Sequence, residues 1–342
     1  MKIWFDILTP KQYLFFEYFI QKFRRQNKIL TTSRKYEQVN GITKFGSLNP
    51  VLIGKHGGRN NVDKLLASLD RTKELTKRIQ KFNPDLLISF CSPEASRVAF
   101  GLSIPHIAFS DSPHAKAVMR LSLPYVTKLL TPWIIPKEDF AEFGIAQNNI
   151  IKYKAIDASV IIKNYEKNKG KKPNSRKIIA IRPEEIHAAY ITKKSKTMKI
   201  IQNIIEKFPN EKKIVLSRYK DQTEKLKKLF GTKITLYSKP VNGRKFLKNI
   251  DCFVGSGGTM TAESGLLGIP TISINAAPNR IEEFLVKKRI IVRCDNPDKI
   301  TKEIFQSMND IQTMRKRKAN ANKILVSFED PYQVLLKTIK SL

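Results

Sequence analysis

The 342-residue chain is about twice the length of a typical domain of ~150 residues, so two domains are expected. Its composition, 41% hydrophobic, 9% aromatic and 27% charged with 15 Gly and 17 Pro, excludes collagen-like, low-complexity and wholly disordered classes. With 63 Lys plus Arg against 30 Asp plus Glu, the formal net charge is +33, which points to an anionic neighbour or to a lysine-rich compositional habit.

Cys91, Cys252 and Cys294 stand far apart without CxxC spacing, so neither a disulfide framework nor a zinc knuckle is expected and a reducing compartment fits. The opening Met1 to Asp6 meets an acid, then Thr9-Pro10, too soon for a secretory apolar core. No run of ~18 apolar residues follows. A cytoplasmic protein is expected, with peripheral attachment to the inner membrane face left open.

In chain order, short apolar runs alternate with 3.6-period segments, the pattern of parallel strands joined by crossover helices. Strands are predicted at 2–6, 28–32, 51–53, 85–89, 106–110 and 128–131. After Pro10, the aromatic run Tyr13, Phe15, Phe16, Tyr18 and Phe19 reads as core rather than as a membrane insert. A helix is predicted near 61–82, with Leu65, Leu66, Leu69, Leu75 and Ile79 on one buried side and Pro84 stopping its continuation. His106, inside a strand after Pro105, reads as a packed core residue.

From 163 to 176 the sequence is basic and nearly without apolar anchors, which predicts a linker. The alternation then restarts with strands at 177–181, 213–217, 233–237, 251–255 and 290–293, and helices near 197–208 and 222–230. Ile201, Ile204, Ile205 and Phe208 fall at i, i+3, i+4 and i+7. Asn296-Pro297-Asp298 reads as a helix start, and the tail beyond it is mostly helical in pattern, with Arg315 to Lys318 on a solvated face. The fold class is therefore α/β, as two Rossmann-like doubly wound domains.

Residues 251–273 place a strand, a glycine-rich turn, a short helix and another strand within one stretch. Gly255, Gly257 and Gly258 let a backbone approach closely at a strand's carboxyl end, and the following helix terminus attracts phosphate. Thr259 is expected to cap that helix, with Glu263 one turn further on and in reach of ribose hydroxyls. A tight turn without a ligand uses the same glycines.

The segment Ser256, Gly257, Gly258, Glu263, Leu267, Gly268 and Pro270 resembles the donor-binding stretch of GT-B glycosyltransferases and non-hydrolysing nucleotide-sugar 2-epimerases. Four further stretches resemble a largely archaeal family of GT-B-like proteins carrying a domain of unknown function. They are FDILTP with the aromatic helix after it, GKHGG at 54–58, the segment 92–115 and GSGGTMTAE. The resemblance implies two domains facing a central cleft, with an acceptor-side domain at 1–162, a linker at 163–176 and a donor-side domain at 177–325. The last residues, 326–342, would be a helix packing back on the first domain. It also implies that Ser256, Gly257 and Gly258 meet the diphosphate of a nucleotide-sugar co-substrate, UDP-linked, and that Glu263 meets the ribose.

Other candidates stand beyond strands. Asp111 and His114, in SDSPHA, are the base candidates, because a histidine oriented by a carboxylate accepts a proton near neutral pH. Asp111 also suits a helix cap at Pro113. His56, Lys55, Gly57 and Gly58 in the GKHGG loop, with Thr9, mark the acceptor side of the cleft, unless the loop is only a solvated turn. Arg182 and Arg218 follow strands of the second half and suit a departing diphosphate. Asn279 is placed to close the donor pocket, and His187 and Tyr190 are lesser candidates.

No Asp-x-Asp, HExxH or clustered His/Cys ligands occur, so no metal or resident cofactor is called for. A P-loop and a Gly-x-Ser-x-Gly elbow are also missing. A nucleotide-sugar-dependent glycosyltransferase acting on an unknown acceptor, anionic or lipid-linked, is the leading expectation. A UDP-N-acetylglucosamine 2-epimerase-like enzyme comes second, since Cys91-Ser92-Pro93 and Arg182-Pro183-Glu184 stand where epimerases of that group carry other motifs. A non-catalytic protein of nucleic acid or an anionic surface comes third, and nucleic acid is disfavoured because the basic residues form no recognised binding motif.

Overall fold

The computed structural model describes residues 1–35, 47–58, 60–163, 176–184, 196–217, 219–239, 241–274 and 279–342. The chain divides into two units, Met1–Val160 with Glu329–Leu342, and Ile161–Phe328. The basic stretch 164–175, His187, Tyr190 and Arg218 lie outside the described residues.

The first unit holds β1 (Lys2–Asp6), β2 (Lys28–Lys35), β3 (Val51–Lys55), β4 (Leu86–Ser89), β5 (His106–Phe109), β6 (Lys128–Pro132) and β7 (Ile150–Tyr153). They form one seven-stranded sheet in the order β3-β2-β1-β4-β5-β6-β7, every pairing parallel. Central parallel strands are covered on both faces, which is why β4 and β5 are mostly apolar, LLIS and HIAF, and are buried throughout. The edge strand β7 is only half-buried and too short for a clear period, so sequence patterning did not predict it.

The helix Pro10–Phe23 buries Tyr13, Phe15, Phe16, Phe19 and Phe23, so the aromatic run is core except for the half-buried Tyr18. Phe16 meets Phe5 of β1 edge-on at 5.4 Å between ring centroids, and Phe15 meets Phe109 of β5 at 5.3 Å. The C-terminal helix Pro331–Lys340 joins this unit through Tyr332, whose ring is 5.1 Å from that of Phe23. Asp330 fixes its start, accepting from Tyr332 N at 3.0 Å and from the Tyr18 hydroxyl at 2.7 Å.

The helix Asn61–Phe82 forms where the periodicity puts it but turns another side inward. Its buried positions are Ala67, Arg71, Leu75 and Ile79, while Leu65, Leu66 and Leu69 face solvent. The reason is an ion pair. Arg71 Nη2 lies 2.7 Å from Asp6 Oδ1, Nη1 lies 3.3 Å from Glu94, and Nε donates to the Ile53 carbonyl at 3.1 Å. A guanidinium that satisfies a buried carboxylate outranks three leucines in setting the helix's rotation, because an unpaired buried charge costs more than exposed apolar surface. His106 is core, as expected: Nε2 lies 2.9 Å from Ser89 Oγ, and burial pushes its pKa down to about 3.

The second unit holds β8 (Ile178–Arg182), β9 (Lys212–Leu216), β10 (Thr235–Tyr237), β11 (Cys252–Gly255), β12 (Thr271–Ser273) and β13 (Val292–Arg293). They form a six-stranded parallel sheet in the order β10-β9-β8-β11-β12-β13. Ile201, Ile204, Ile205 and Phe208 pack on it beside Ile300 and Ile304 of the helix Pro297–Asn309. Asn296 caps that second helix, accepting from Asp298 N and Lys299 N at 3.0 Å each.

Strand order reverses between β1 and β4 in one sheet and between β8 and β11 in the other. At such a reversal neighbouring crossovers leave in opposite directions, and a crevice opens beyond the strands' carboxyl ends.

Candidate functional site

In the second unit the glycine-rich turn leaves the sheet at this reversal. Gly255, the last residue of β11, is paired with Arg182, the last of β8. A Cβ on Gly255 would lie 2.5 Å from both Phe253 Cε1 and Thr261 Oγ1, so no side chain fits there. Gly257 and Gly258 take φ of 72° and 76°, the left-handed region that glycine occupies without strain. Above Gly258 a Cβ would meet nothing within 4 Å, leaving the start of the helix Gly258–Leu266 open to an incoming group.

The helix begins two residues earlier than the sequence suggested. Both glycines carry the turn, Gly257 stands at the N-cap, and no side chain caps the helix, so Thr259 lies within its first turn and the expected Thr259 cap is not formed. Thr261 turns back instead and donates to the Gly257 carbonyl at 2.8 Å. An uncapped helix start with no acid in its first turn keeps its partial positive charge available to an anion.

Four side chains, of Arg182, Ser256, Met260 and Glu263, gather round this turn. Arg182 Nη1 donates to Met260 Sδ at 3.3 Å, and Ser256 Oγ reaches the Arg182 carbonyl at 3.5 Å. Glu263 is buried to 4% exposure, and its Oε2 and Met260 Cε lie 3.9 and 3.8 Å from where a Cβ on Gly243 would stand. The start of the helix Gly243–Leu247 thus closes over Glu263, a contact that sequence reading missed because Gly243 lies far from the motif. Asn279 caps the helix Arg280–Lys287, accepting from Glu282 N at 2.9 Å.

In the first unit the carboxyl ends of β1, β5 and β7 bring together Lys11, Asp111, Tyr153 and Asp157. Lys11 Nζ lies 2.5 Å from Asp111 Oδ2 and 2.6 Å from Asp157 Oδ2. Ser112 Oγ donates to Asp111 at 2.8 Å, and the Tyr153 hydroxyl donates to Asp157 at 2.9 Å. Burial opposes the Lys11 charge, but the two carboxylates outweigh it and its pKa is raised. Burial, then the charge of Asp111, pushes Asp157 up to about 6. Burial also works against the Asp111 carboxylate, yet Lys11 holds its pKa below the usual value. One lysine thus divides two carboxylates into an ionised one that solvent reaches and a buried one that holds a proton more tightly.

Asp111 turns to Lys11 and Ser112, while His114 is exposed three residues on. Lys11 follows Pro10 in a helix first turn that has no acid, and Asp157 follows a strand too short to predict, so neither was legible. Thr9 caps that helix, with Gln12 N donating to its Oγ1 at 3.3 Å.

The GKHGG loop has a packing reason for its glycines. A Cβ on Gly57 would lie 2.5 Å from Lys64 Cα, and one on Gly54 would lie 2.9 Å from the Arg71 side chain. His56 and Lys55 are exposed, and His56 Nδ1 accepts from Gly58 N at 3.0 Å. Burial, then Arg34 and Lys64, lower the His56 pKa. Among the described residues no group of three or more His, Cys, Asp or Glu is placed to hold a metal ion.

Comparison with known proteins supplies relatives for this arrangement. An uncharacterised protein of Methanocaldococcus jannaschii is 26% identical over 355 residues, covering 99% of this chain and 98% of that one. Among solved structures, the UDP-GlcNAc 2-epimerase of Neisseria meningitidis bound to UDP-GlcNAc superposes with a TM-score of 0.69 at 14% identity, covering 98% of this chain and all (100%) of that one. Anabaena Alr3699/HepE in complex with UDP-glucose gives 0.68 at 11% identity, covering 100% of each chain. At these identities the likeness is one of fold alone, that of two GT-B-like α/β domains. A family model described as a protein of unknown function, DUF354, matches residues 1–341, and the chain belongs to that family.

Proposed function

We propose that this protein is a glycosyltransferase that uses a UDP-linked sugar, without a metal ion or resident cofactor. The observation that carries the reading is the Gly255 to Gly258 turn at the β8/β11 reversal, with Arg182 and Glu263 beside it. The diphosphate would lie against the backbone N–H groups of Gly257 and Gly258, where the uncapped helix start and the Arg182 guanidinium neutralise it. Glu263 would accept from the ribose hydroxyls. Arg218, beyond β9, would add a second cation.

The acceptor side belongs to the first unit, with Lys55, Gly57, Gly58 and Thr9 near its approach. Asp111 takes the proton of the acceptor hydroxyl as that oxygen bonds to the anomeric carbon of the sugar. The bond from that carbon to the diphosphate oxygen breaks, and UDP leaves with the electron pair. Lys11 keeps Asp111 ionised and oriented, and Asp157 with Tyr153 keeps Lys11 in place. His114 and His56, both exposed, are the alternative bases for this step.

A second reading, 2-epimerisation of UDP-N-acetylglucosamine, draws on the two carboxylates held by one lysine, a pair able to remove and return a proton on a sugar ring. Incubation with UDP-GlcNAc separates the two. Epimer formation without an acceptor supports the second reading, and UDP release that requires an added acceptor supports the first.

A further inference from the structure

Arg71 is 1% exposed and joins four elements of the first unit. Its guanidinium holds Asp6, the last residue of β1, and Glu94, in the first turn of the helix Pro93–Gly101 that follows β4. Its Nε donates to Ile53 of β3, and Asp6 also accepts from Thr32 of β2 at 2.6 Å. Replacing a buried ion cluster of this kind by apolar residues of the same volume is often neutral or stabilising. The rotation that Arg71 gives its helix also leaves Leu65, Leu66 and Leu69 in solvent. Stability alone therefore does not account for the cluster, and breaches of the ordinary patterning rules gather at functional sites.

The GKHGG loop rests on this same helix at two points. A Cβ on Gly54 would lie 2.9 Å from Arg71 Cβ and Cγ and 3.2 Å from Cδ, so the chain leaves β3 pressed against the Arg71 stem. A Cβ on Gly57 would lie 2.5 Å from Lys64 Cα, so the far side of the loop meets the helix backbone. Between these points the His56 N–H donates to the Lys35 carbonyl at 3.2 Å, which ties the loop to the end of β2. The rotation of the helix thus sets where Lys55 and His56 stand, and Arg71 fixes that rotation. Its partner Asp6 ends the strand from which the chain turns to Lys11, five residues on. One guanidinium connects the loop to the strand that leads to the Lys11 and Asp111 cluster.

We propose that Arg71 is the positioning residue of the acceptor side, holding the GKHGG loop in place through Gly54 and the helix Asn61–Phe82. The proposal rests on the reading that this loop lies on the acceptor's approach. Its test follows the His56 ring by NMR in the full-length protein, a chain of four histidines, with the resonance assigned by its loss in His56→Gln. Two variants are compared with the natural chain. Arg71→Lys keeps the charge but not the planar fork. Gly54→Ala keeps the ion cluster but pushes the loop off the Arg71 stem, and it carries the test alone if Arg71→Lys does not fold.

In the natural chain burial, then Arg34 and Lys64, keep the His56 pKa low. In each folded variant it is expected to rise toward the ordinary 6.5, with amide exchange at 54–58 about tenfold faster or more. UDP affinity should stay as it is, because the glycine-rich turn belongs to the other unit. A folded Arg71→Lys protein whose His56 ring and loop exchange match the natural chain overturns the proposal, whatever its melting temperature, and so does an unmoved His56 in Gly54→Ala. A tenfold loss of UDP affinity in either variant also overturns it, since Arg71 would then serve the fold as a whole. A natural chain that binds no UDP sinks the glycosyltransferase reading instead, and the His56 comparison still decides this one.

Discussion

The two candidate sites are built in opposite ways. The turn after β11 is mostly backbone: glycines with positive φ, a helix start without a cap, and a few side chains around it. The cluster in the first unit is all side chain, with Lys11, Asp111 and Asp157 arriving from separate strand ends across 147 residues of sequence. A backbone site needs its residues adjacent in the chain, because one turn must make it. A side-chain site needs them adjacent only in space, so the two sites fail differently when altered.

The largest effect is expected in the first unit. Asp111→Asn keeps the shape but removes the proton acceptor, and should lower the rate of acceptor-dependent UDP release by about 10²–10⁴-fold. His114→Ala should stay within about twofold, as befits an exposed residue outside the cluster. Equal losses in the two variants would return the base to His114.

Lys11→Met is the next test, since it leaves two carboxylates facing each other with Asp157 at 2% exposure. A cost of about 3 kcal/mol is expected in thermal or urea unfolding, at the low end for breaking a buried pair because Lys11 is partly solvated. Lowering the pH should recover part of it, as one carboxylate protonates. An unchanged melting temperature would mean that the cluster does not bind Lys11 as drawn.

The same cluster predicts a pH dependence of definite sign. The folded Asp157 pKa, about 6, lies above the unfolded value of about 3.9. The folded state therefore holds this proton more tightly, and the resulting stability is full below about pH 4 and is lost as pH rises through 6. Relative to Asp157→Asn, the natural chain should gain about 2 kcal/mol between pH 7 and pH 4. Asp111, whose pKa is lowered, acts the other way, losing its contribution only as pH falls through its folded value. A difference that is flat over this range would show that Asp157 titrates normally.

In the second unit the expected effects are smaller and come from shape. Gly255→Ala places a Cβ 2.5 Å from Phe253 and Thr261, and overpacking of this kind should cost about 1–2 kcal/mol of stability. Gly258→Ala meets open space, so it carries only the strain of its positive φ, about 1 kcal/mol. A neutral Gly255→Ala would mean that the turn is looser than drawn.

The same contrast explains how much was legible in the sequence. The alternation of apolar runs and helical periods located nearly every central strand, because parallel strands buried on both faces must be apolar. The glycine-rich turn was legible for the same local reason, down to Glu263, although its start at Gly258 moved Thr259 out of the cap. Lys11 and Asp157 were hidden because nothing in their neighbourhoods marks them. Leu65, Leu66 and Leu69 were misplaced because periodicity counts apolar residues and cannot weigh a buried Arg71 bound to Asp6 and Glu94. Helix rotation is a decision made by tertiary contacts.

The central claim is that the β11 turn binds a nucleoside diphosphate, and calorimetric titration with UDP, GDP, dTDP and CMP, beside Glu263→Ala, tests it most directly. Binding of UDP that the variant weakens by ~1.4 kcal/mol or more, tenfold in affinity, is the predicted result, with the variant's melting curve confirming that it is folded. No binding of any of the four nucleotides, or equal binding by a folded Glu263→Ala, would contradict it and leave the turn a structural feature of the fold.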